Sequence, residues 1–122
     1  MMKEKQAGVK FSEKESDYLA EQRLGRIATA SPGLEPHVVP VGFEFDGSYI
    51  YFGGWNLGRT LKFRNIMRNN KVAFVVDDLV STRPWRVRGI EIRGVAEKVE
   101  CEEGRLCVRI TPTRKVSWGL EV

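Results

Sequence analysis

Tyr49 to Asp78, YIYFGGWNLGRTLKFRNIMRNNKVAFVVDD, is the stretch whose order decides the fold: strand, glycine-rich loop, basic helix, strand. Tyr49–Gly53 has the aromatic and branched composition of a strand. The loop GGWNLGRT then offers exposed backbone N–H groups. A helix over about Arg59–Arg68 uses Leu61, Ile66 and Met67 as its apolar contacts, while Arg59, Lys62, Arg64, Arg68 and Lys71 supply cations with no acid among them. Arg59 and Lys62 are three apart and share a face near the helix start. Thr60 adds a hydroxyl there and Asn65 an amide further along. An anion at that N-terminus gains N–H bonds, the helix dipole and charge-assisted contacts. The competing reading is a solvated basic face. Asn69-Asn70 suits a left-handed helix end, and Val72–Val76 reads as a buried central strand.

Upstream, Asp46-Gly47 carries the signature of a type I′ hairpin. It joins Ser48–Gly53 to Val38–Asp46, which alternates apolar and polar positions. Pro40 has no N–H for a ladder, so this strand is expected to have an edge or irregular section. Arg26–Ala30 is a short strand ended by Ser31-Pro32-Gly33. Ser12 and Glu15 form the capping box of a helix over about Glu13–Gln22, whose narrow apolar face (Phe11, Tyr18, Leu19) lies on a surface. Residues 1–10 are polar and expected to fray.

Downstream, Asp77–Pro84 reads as a loop and Trp85–Val99 as one long strand that bends at Gly89. Glu102-Glu103-Gly104 is a tight turn with glycine in the left-handed position. Leu106–Ile110 alternates as a sixth strand that Pro112 ends. Trp118-Gly119-Leu120 is too apolar for a free tail, so Thr113–Val122 is expected to dock. Six strands, tight turns and two helices describe an all-β, small antiparallel barrel in a single domain, 1–122. A doubly wound α/β fold does not fit, because only one helix separates consecutive strands.

Composition narrows the chemistry. A net charge of +4 and a pI near 9.3 suit an anionic cofactor, an anionic substrate or nucleic acid. No apolar run approaches the roughly 20 residues of a membrane span. The N-terminal sequence lacks the apolar core of a signal peptide, so a cytoplasmic location is expected. Cys101 and Cys107 are too few for a disulfide framework and, with the single His37, too few for a structural zinc site; no metal is expected. They read as small half-buried strand residues. His37 follows Pro36 in a turn and reads as an exposed loop residue, with no nucleophile motif beside it. No catalytic side chain is expected, and an enzyme built on this chain needs a cofactor to carry its chemistry. Arg83–Arg93 forms a second basic cluster, in which Arg86 and Arg88 share one face and Glu91 and Arg93 share a face on which they can pair; the competing reading is a cross-strand charge ladder. Interleaved with Trp55 and Trp85, these cations also fit a single-stranded nucleic-acid platform.

Taken in order, R-I-A-T-A, P-H-V-V-P-V, D-G-S-Y-I-Y-F, T-L-K-F-R-N-I-M-R-N and K-V-A-F-V-V-D-D resemble the FMN-binding split-barrel family, the pyridoxamine 5′-phosphate oxidase-like proteins. P-W-R-V-R-G-I-E-I-R-G-V-A-E and R-I-T-P-T-R-K-V-S-W-G-L are similar to the branch labelled as dependent on the deazaflavin coenzyme F-420. The resemblance implies a six-stranded split barrel of Greek-key type, forming a homodimer with cofactor sites at the subunit interface. It implies an oxidoreductase that uses FMN or coenzyme F-420 for hydride transfer to or from a small organic substrate. A non-catalytic carrier or sensor with the same site is the alternative. Thr60 and Lys62 match the family's phosphate-contacting Ser/Thr-x-Lys pattern, with Arg59 just before. Phe52 and Gly53 match the strand end that lines the cofactor. Pro40 and Val41 match the strand behind its ring. The Trp118 segment matches a C-terminal piece that reaches a cofactor site, its own or the partner's. Two features depart from the pattern: the apolar Trp55 in the loop, and a short turn between the last two long strands where relatives often carry a helix.

Overall fold

Two short helices and seven strands follow one another along the chain: α1 (Glu13–Glu21), β1 (Leu24–Ala30), β2 (Pro36–Gly42), β3 (Glu44–Phe45), β4 (Ile50–Phe52), α2 (Leu61–Arg68), β5 (Lys71–Thr82), β6 (Trp85–Glu100) and β7 (Leu106–Trp118). These come from a computed structural model that describes residues 9–121. Fraying expected at residues 1–8 lies outside the described residues. All seven strands belong to one sheet in the order β2-β1-β5-β6-β7-β4-β3, paired antiparallel throughout.

The two ends of that order are consecutive in sequence, separated only by Phe43. One strand therefore pairs with β1 as β2, turns at Phe43 and pairs with β4 as β3, which closes the sheet into a split barrel. Phe43 makes the break: its N–H donates to the Arg23 carbonyl at 3.2 Å, and its ring packs edge-on against Phe74 with centroids 5.2 Å apart. The single strand expected over Val38–Asp46 is thus two, and six strands become seven. Alternate side chains fill the interior, with Ile27, Phe74, Val76, Ile90, Ile92 and Ile110 completely buried. β5 buries Val72, Phe74 and Val76 while Ala73 and Val75 are half-buried, so it alternates rather than being buried on both faces.

α1 opens with the capping box: the Ser12 hydroxyl accepts from the Glu15 N–H, and the Glu15 carboxylate accepts from the Ser12 N–H. Tyr18 and Leu19 are buried beneath it, and Phe11 packs edge-on against Phe45 of β3. The Tyr18 hydroxyl donates to Asp78, which also holds Arg88 at 2.8 Å.

Several expectations are corrected. Asp77–Pro84 is not a loop: β5 continues to Thr82, leaving Arg83-Pro84 to turn the chain through a cis peptide bond. Pro112 does not end the last strand. β7 runs on to Trp118 and pairs with β6 to Gly89, so most of the supposed docking tail is strand, and Leu120 packs against the core. Proline is accommodated because the register slips between Arg93 and Gly94 beside it. Glycine is required at that slip: a Cβ on Gly94 would stand 2.3 Å from the Thr111 carbonyl oxygen. Gly89 carries no bulge; it is small because the Trp118 ring and the Val76 carbonyl lie where a Cβ would be. Asp46-Gly47 forms a four-residue connection, not a two-residue I′ turn. The Asp46 carboxylate accepts from the Ser48 and Tyr49 N–H groups, beside a backbone bond from the Asp46 N–H to the Tyr49 carbonyl at 3.2 Å. Asn69 ends α2 in extended, not left-handed, backbone. His37 is half-buried on β2, not in a turn, with Nδ1 buried and without a partner among the described residues. Cys101 and Cys107 form a disulfide across the β6–β7 turn. Flanking a turn, the two Cα atoms lie 5.9 Å apart, inside the usual disulfide range.

Candidate functional site

The barrel is split where β2 hands over to β3, and an open cleft of about 620 Å³ lies there. Gly42, Phe43 and Glu44 form its floor at the handover. Tyr51, Phe52, Gly53, Gly54 and Trp55 form one wall. Cys101, Cys107 and Arg105 form another from the β6–β7 turn, and Arg23 completes the rim. Its size falls in the ordinary range for small-molecule sites, roughly 300–1,000 Å³. Gly54 has φ +127°, a conformation open to glycine, and the N–H groups of Gly54 and Trp55 make no hydrogen bond among the described residues. Trp55 is 92% exposed, an aromatic face with nothing upon it.

Of the residues singled out in the sequence, Phe52 and Gly53 line this cleft directly. Val41 is buried and immediately precedes Gly42; Pro40 is exposed on the edge strand, opposite Arg26. Arg59, Thr60 and Lys62 follow one short loop beyond the cleft wall. Leu57 is buried there, and a Cβ on Gly58 would meet Leu106 at 3.6 Å, so the loop is seated on the start of β7. Thr60 is the N-cap of α2: its hydroxyl accepts from the Phe63 N–H at 3.3 Å and donates to the Leu57 carbonyl at 2.7 Å. The hydroxyl proton is thereby committed to the backbone. The N–H groups of Leu61 and Lys62 have no acceptor inside the helix. Neither Arg59 nor Lys62 has an ion-pair partner among the described residues. Asn65 is buried and donates to the Thr29 hydroxyl at 3.0 Å, which pins α2 to β1; it packs and does not face a ligand.

Trp118 stands apart. Phe52 pairs with Val108 near the start of β7, and Trp118 is the last residue of that strand. The ten steps from Val108 to Trp118 span about 33 Å of strand at about 3.3 Å each. One chain therefore does not bring Trp118 to the Phe52 wall.

Electrostatically the cleft wall is anchored by Asp46. Burial pushes its carboxyl up, but the N–H groups of Tyr49 and Ser48 and the Tyr51 hydroxyl more than offset this and hold it below the usual aspartate value. Burial first, and then the bond to Asp46, raise the Tyr51 phenol above its ordinary value, so it is held protonated in the cleft. Much of the second basic cluster is already paired: Arg88 with Asp78 and Glu21, and Arg93 with Glu91. Arg23, Arg105 and the disulfide were not singled out as site residues from the sequence. The arginines sit singly in connecting segments with no periodic or motif context. The cysteines did carry a signal, since they flank the Glu-Glu-Gly turn.

An all-β split barrel with a ligand-sized cleft at its split is the class that this fold and site define. The family model described as pyridoxamine 5′-phosphate oxidase matches residues 11–110, and the chain belongs to that family. A 5a,11a-dehydrotetracycline/5a,11a-dehydrooxytetracycline reductase of Streptomyces rimosus is 42% identical over 120 residues, covering 91% of this chain and 84% of the relative. Among solved structures, a conserved hypothetical protein of Mycobacterium tuberculosis superposes with a TM-score of 0.74 at 24% identity, covering 96% of this chain and 90% of its own. An FAD-binding protein of Mycobacterium smegmatis gives a TM-score of 0.66 at 28% identity, covering 88% and 93% respectively. With this family membership and a reductase so similar across the chain, the protein is an oxidoreductase. No helix among the described residues is long and apolar enough to cross a membrane.

Proposed function

We propose that the protein is a flavin- or deazaflavin-dependent reductase that delivers hydride to a small conjugated organic substrate, and that it works as a homodimer. The observation that carries this reading is the cleft at the barrel split, lined by Phe52 and Gly53 and one short loop from an unpaired basic helix start, in a chain 42% identical to a dehydrotetracycline reductase. The residues fit such a cofactor. Phe52, Gly53 and the Pro40–Val41 strand would frame its ring. Arg59, Lys62 and the α2 N–H groups would hold its phosphate, with Thr60 capping the helix that presents them. When bound, the ring supplies the hydride. The chain's own part is to orient the reactants and to exclude water.

Two observations support a second copy. Trp118 can meet a ring against Phe52 only from another chain. The β5–β6 ribbon also runs past the last β1 pair at Val75 and the last β7 pair at Gly89, with Leu79, Val80, Trp85 and Val87 exposed on it. A bare two-stranded ribbon is marginal in water. The substrate in the relative's name, a dehydrotetracycline, suits a broad open cleft. Resemblance to the F-420-labelled branch favours the deazaflavin, while the family name favours FMN.

The test is turnover of 5a,11a-dehydrotetracycline with reduced FMN or reduced coenzyme F-420, together with Lys62→Ala. Loss of one charge-assisted phosphate contact, about 1.5–3 kcal/mol, weakens cofactor binding about 10- to 150-fold and leaves the melting temperature unchanged. Unaltered affinity for both cofactors in Lys62→Ala refutes the phosphate assignment. Tight binding without turnover on any substrate points to a carrier.

A further inference from the structure

We infer that Arg23 and Arg105 form an anion clamp across the mouth of the cleft, selecting ligands that carry anionic oxygens (the phosphate or carboxylates of a cofactor tail, or the acidic enolate of a tetracycline ring) beside a planar ring. This rests on the functional reading above and extends it to residues outside the family's phosphate pattern. The two arginines come from distant parts of the chain, the entry to β1 and the β6–β7 turn, and both residues line the cleft. Both are exposed, and neither has an ion-pair partner among the described residues, whereas Arg26, Arg88, Arg93 and Arg109 all do. Among the described residues Glu44 is the one acidic residue lining the same space, so their lining keeps a net positive charge.

Arg105 is held in place. The Cys101–Cys107 disulfide closes the turn around it. The Cys101 N–H donates to the Arg105 carbonyl at 2.7 Å, and the Arg105 N–H donates to the Glu102 carbonyl at 3.2 Å. Glu103 and Gly104 accept left-handed backbone to make that turn. Arg23 is fixed at its backbone by the bond from Phe43, the residue that splits the barrel. A planar guanidinium on a rigid turn is suited to two-pronged contact with carboxylate or phosphate. Trp55, exposed in the wall, offers the ring surface beside it. The anion can belong to the cofactor tail or to the substrate, and the experiment separates them.

Wild type, Arg23→Ala, Arg105→Ala and Arg105→Lys are titrated with two matched pairs: FMN against riboflavin, and coenzyme F-420 against its deazaflavin ring without the acidic tail. KM and kcat for 5a,11a-dehydrotetracycline are measured on the same variants, and circular-dichroism melting checks the fold. If the clamp grips the cofactor, each alanine variant loses tenfold or more in affinity for the anionic member of a pair. The uncharged member changes less than twofold, and Arg105→Lys recovers part of the loss. If it grips the substrate, both cofactor pairs are unmoved and KM rises tenfold or more with kcat within twofold. Folded variants that change neither the pairs nor KM overturn the clamp while the functional reading stands. Failure of all four ring ligands to bind wild type removes that reading and the clamp together.

Discussion

Replacing Glu15 by alanine should unfasten α1 from the barrel, and the size of the effect follows from its contacts. The Glu15 side chain is 8% exposed and accepts from the Ser12 N–H at 2.9 Å, the Lys115 ammonium at 2.7 Å and the Ser117 hydroxyl at 2.7 Å. Losing half the capping box removes about 1 kcal/mol. Removing one partner of a buried ion pair costs about 3–5 kcal/mol, and the lower end applies because Lys115 is 25% exposed. The two losses overlap, so the expected destabilisation at pH 7 is about 3–4 kcal/mol, or roughly 12–16 °C in Tm for a domain of this size. Burial alone raises the Glu15 carboxyl, but Lys115, the Ser12 N–H and Ser117 together hold it below its ordinary value of 4.5. A depressed carboxyl contributes stability above its unfolded pKa and loses it as pH falls through the folded one. The gap between wild type and Glu15→Ala should therefore be full at pH 7 and shrink below about pH 4.5. Urea and thermal melts at pH 7, 4.5 and 3 check both. A loss under about 1 kcal/mol at pH 7, or a gap unchanged at pH 3, refutes the reasoning. The effect should reach the site, because Phe11, just before the α1 cap, packs on Phe45 of β3, the strand that leaves the cleft floor.

Two further outcomes follow from the same geometry. Cys101→Ser with Cys107→Ser opens a loop of seven residues, which removes about 2 kcal/mol in the chain-entropy account; melts of wild type with and without reductant should show the same drop, and the double variant should no longer respond to reductant. Gly94→Ala places a methyl 2.3 Å from the Thr111 carbonyl oxygen at the β6–β7 slip, so denaturant melts should show a loss of about 2 kcal/mol or more, whereas Gly33→Ala, whose methyl would meet only the Ser31 hydroxyl at 3.7 Å, should be near neutral.

The stretch opened by Tyr49 was legible because its signals are local. A glycine loop, a basic helix and a branched strand each state their own conformation, and all three stand in the expected order, although the helix starts at Leu61 with Thr60 as its cap and the strand is longer and alternates in burial. The Ser12–Glu15 capping box and the Glu91–Arg93 pair were legible for the same reason. What the sequence concealed depends on partners far along the chain. Proline at position 112 signals a strand end unless a glycine opposite lets the register slip. Phe43 continues an alternating run, and only its bond to Arg23 and packing on Phe74 show that the strand changes neighbours there. The cleft forms at that change, so its rim was hidden with it: Arg23 and Arg105 acquire meaning only once the turn and the split are adjacent.

The most direct measurement is an absorbance titration of the purified protein with FMN and with coenzyme F-420. Binding of one of them at about micromolar affinity or tighter, one per protomer, with a perturbed ring spectrum and weakened by Lys62→Ala, is the predicted result. No binding of either at ligand concentrations of about a millimolar contradicts a flavin-type reductase built on this cleft.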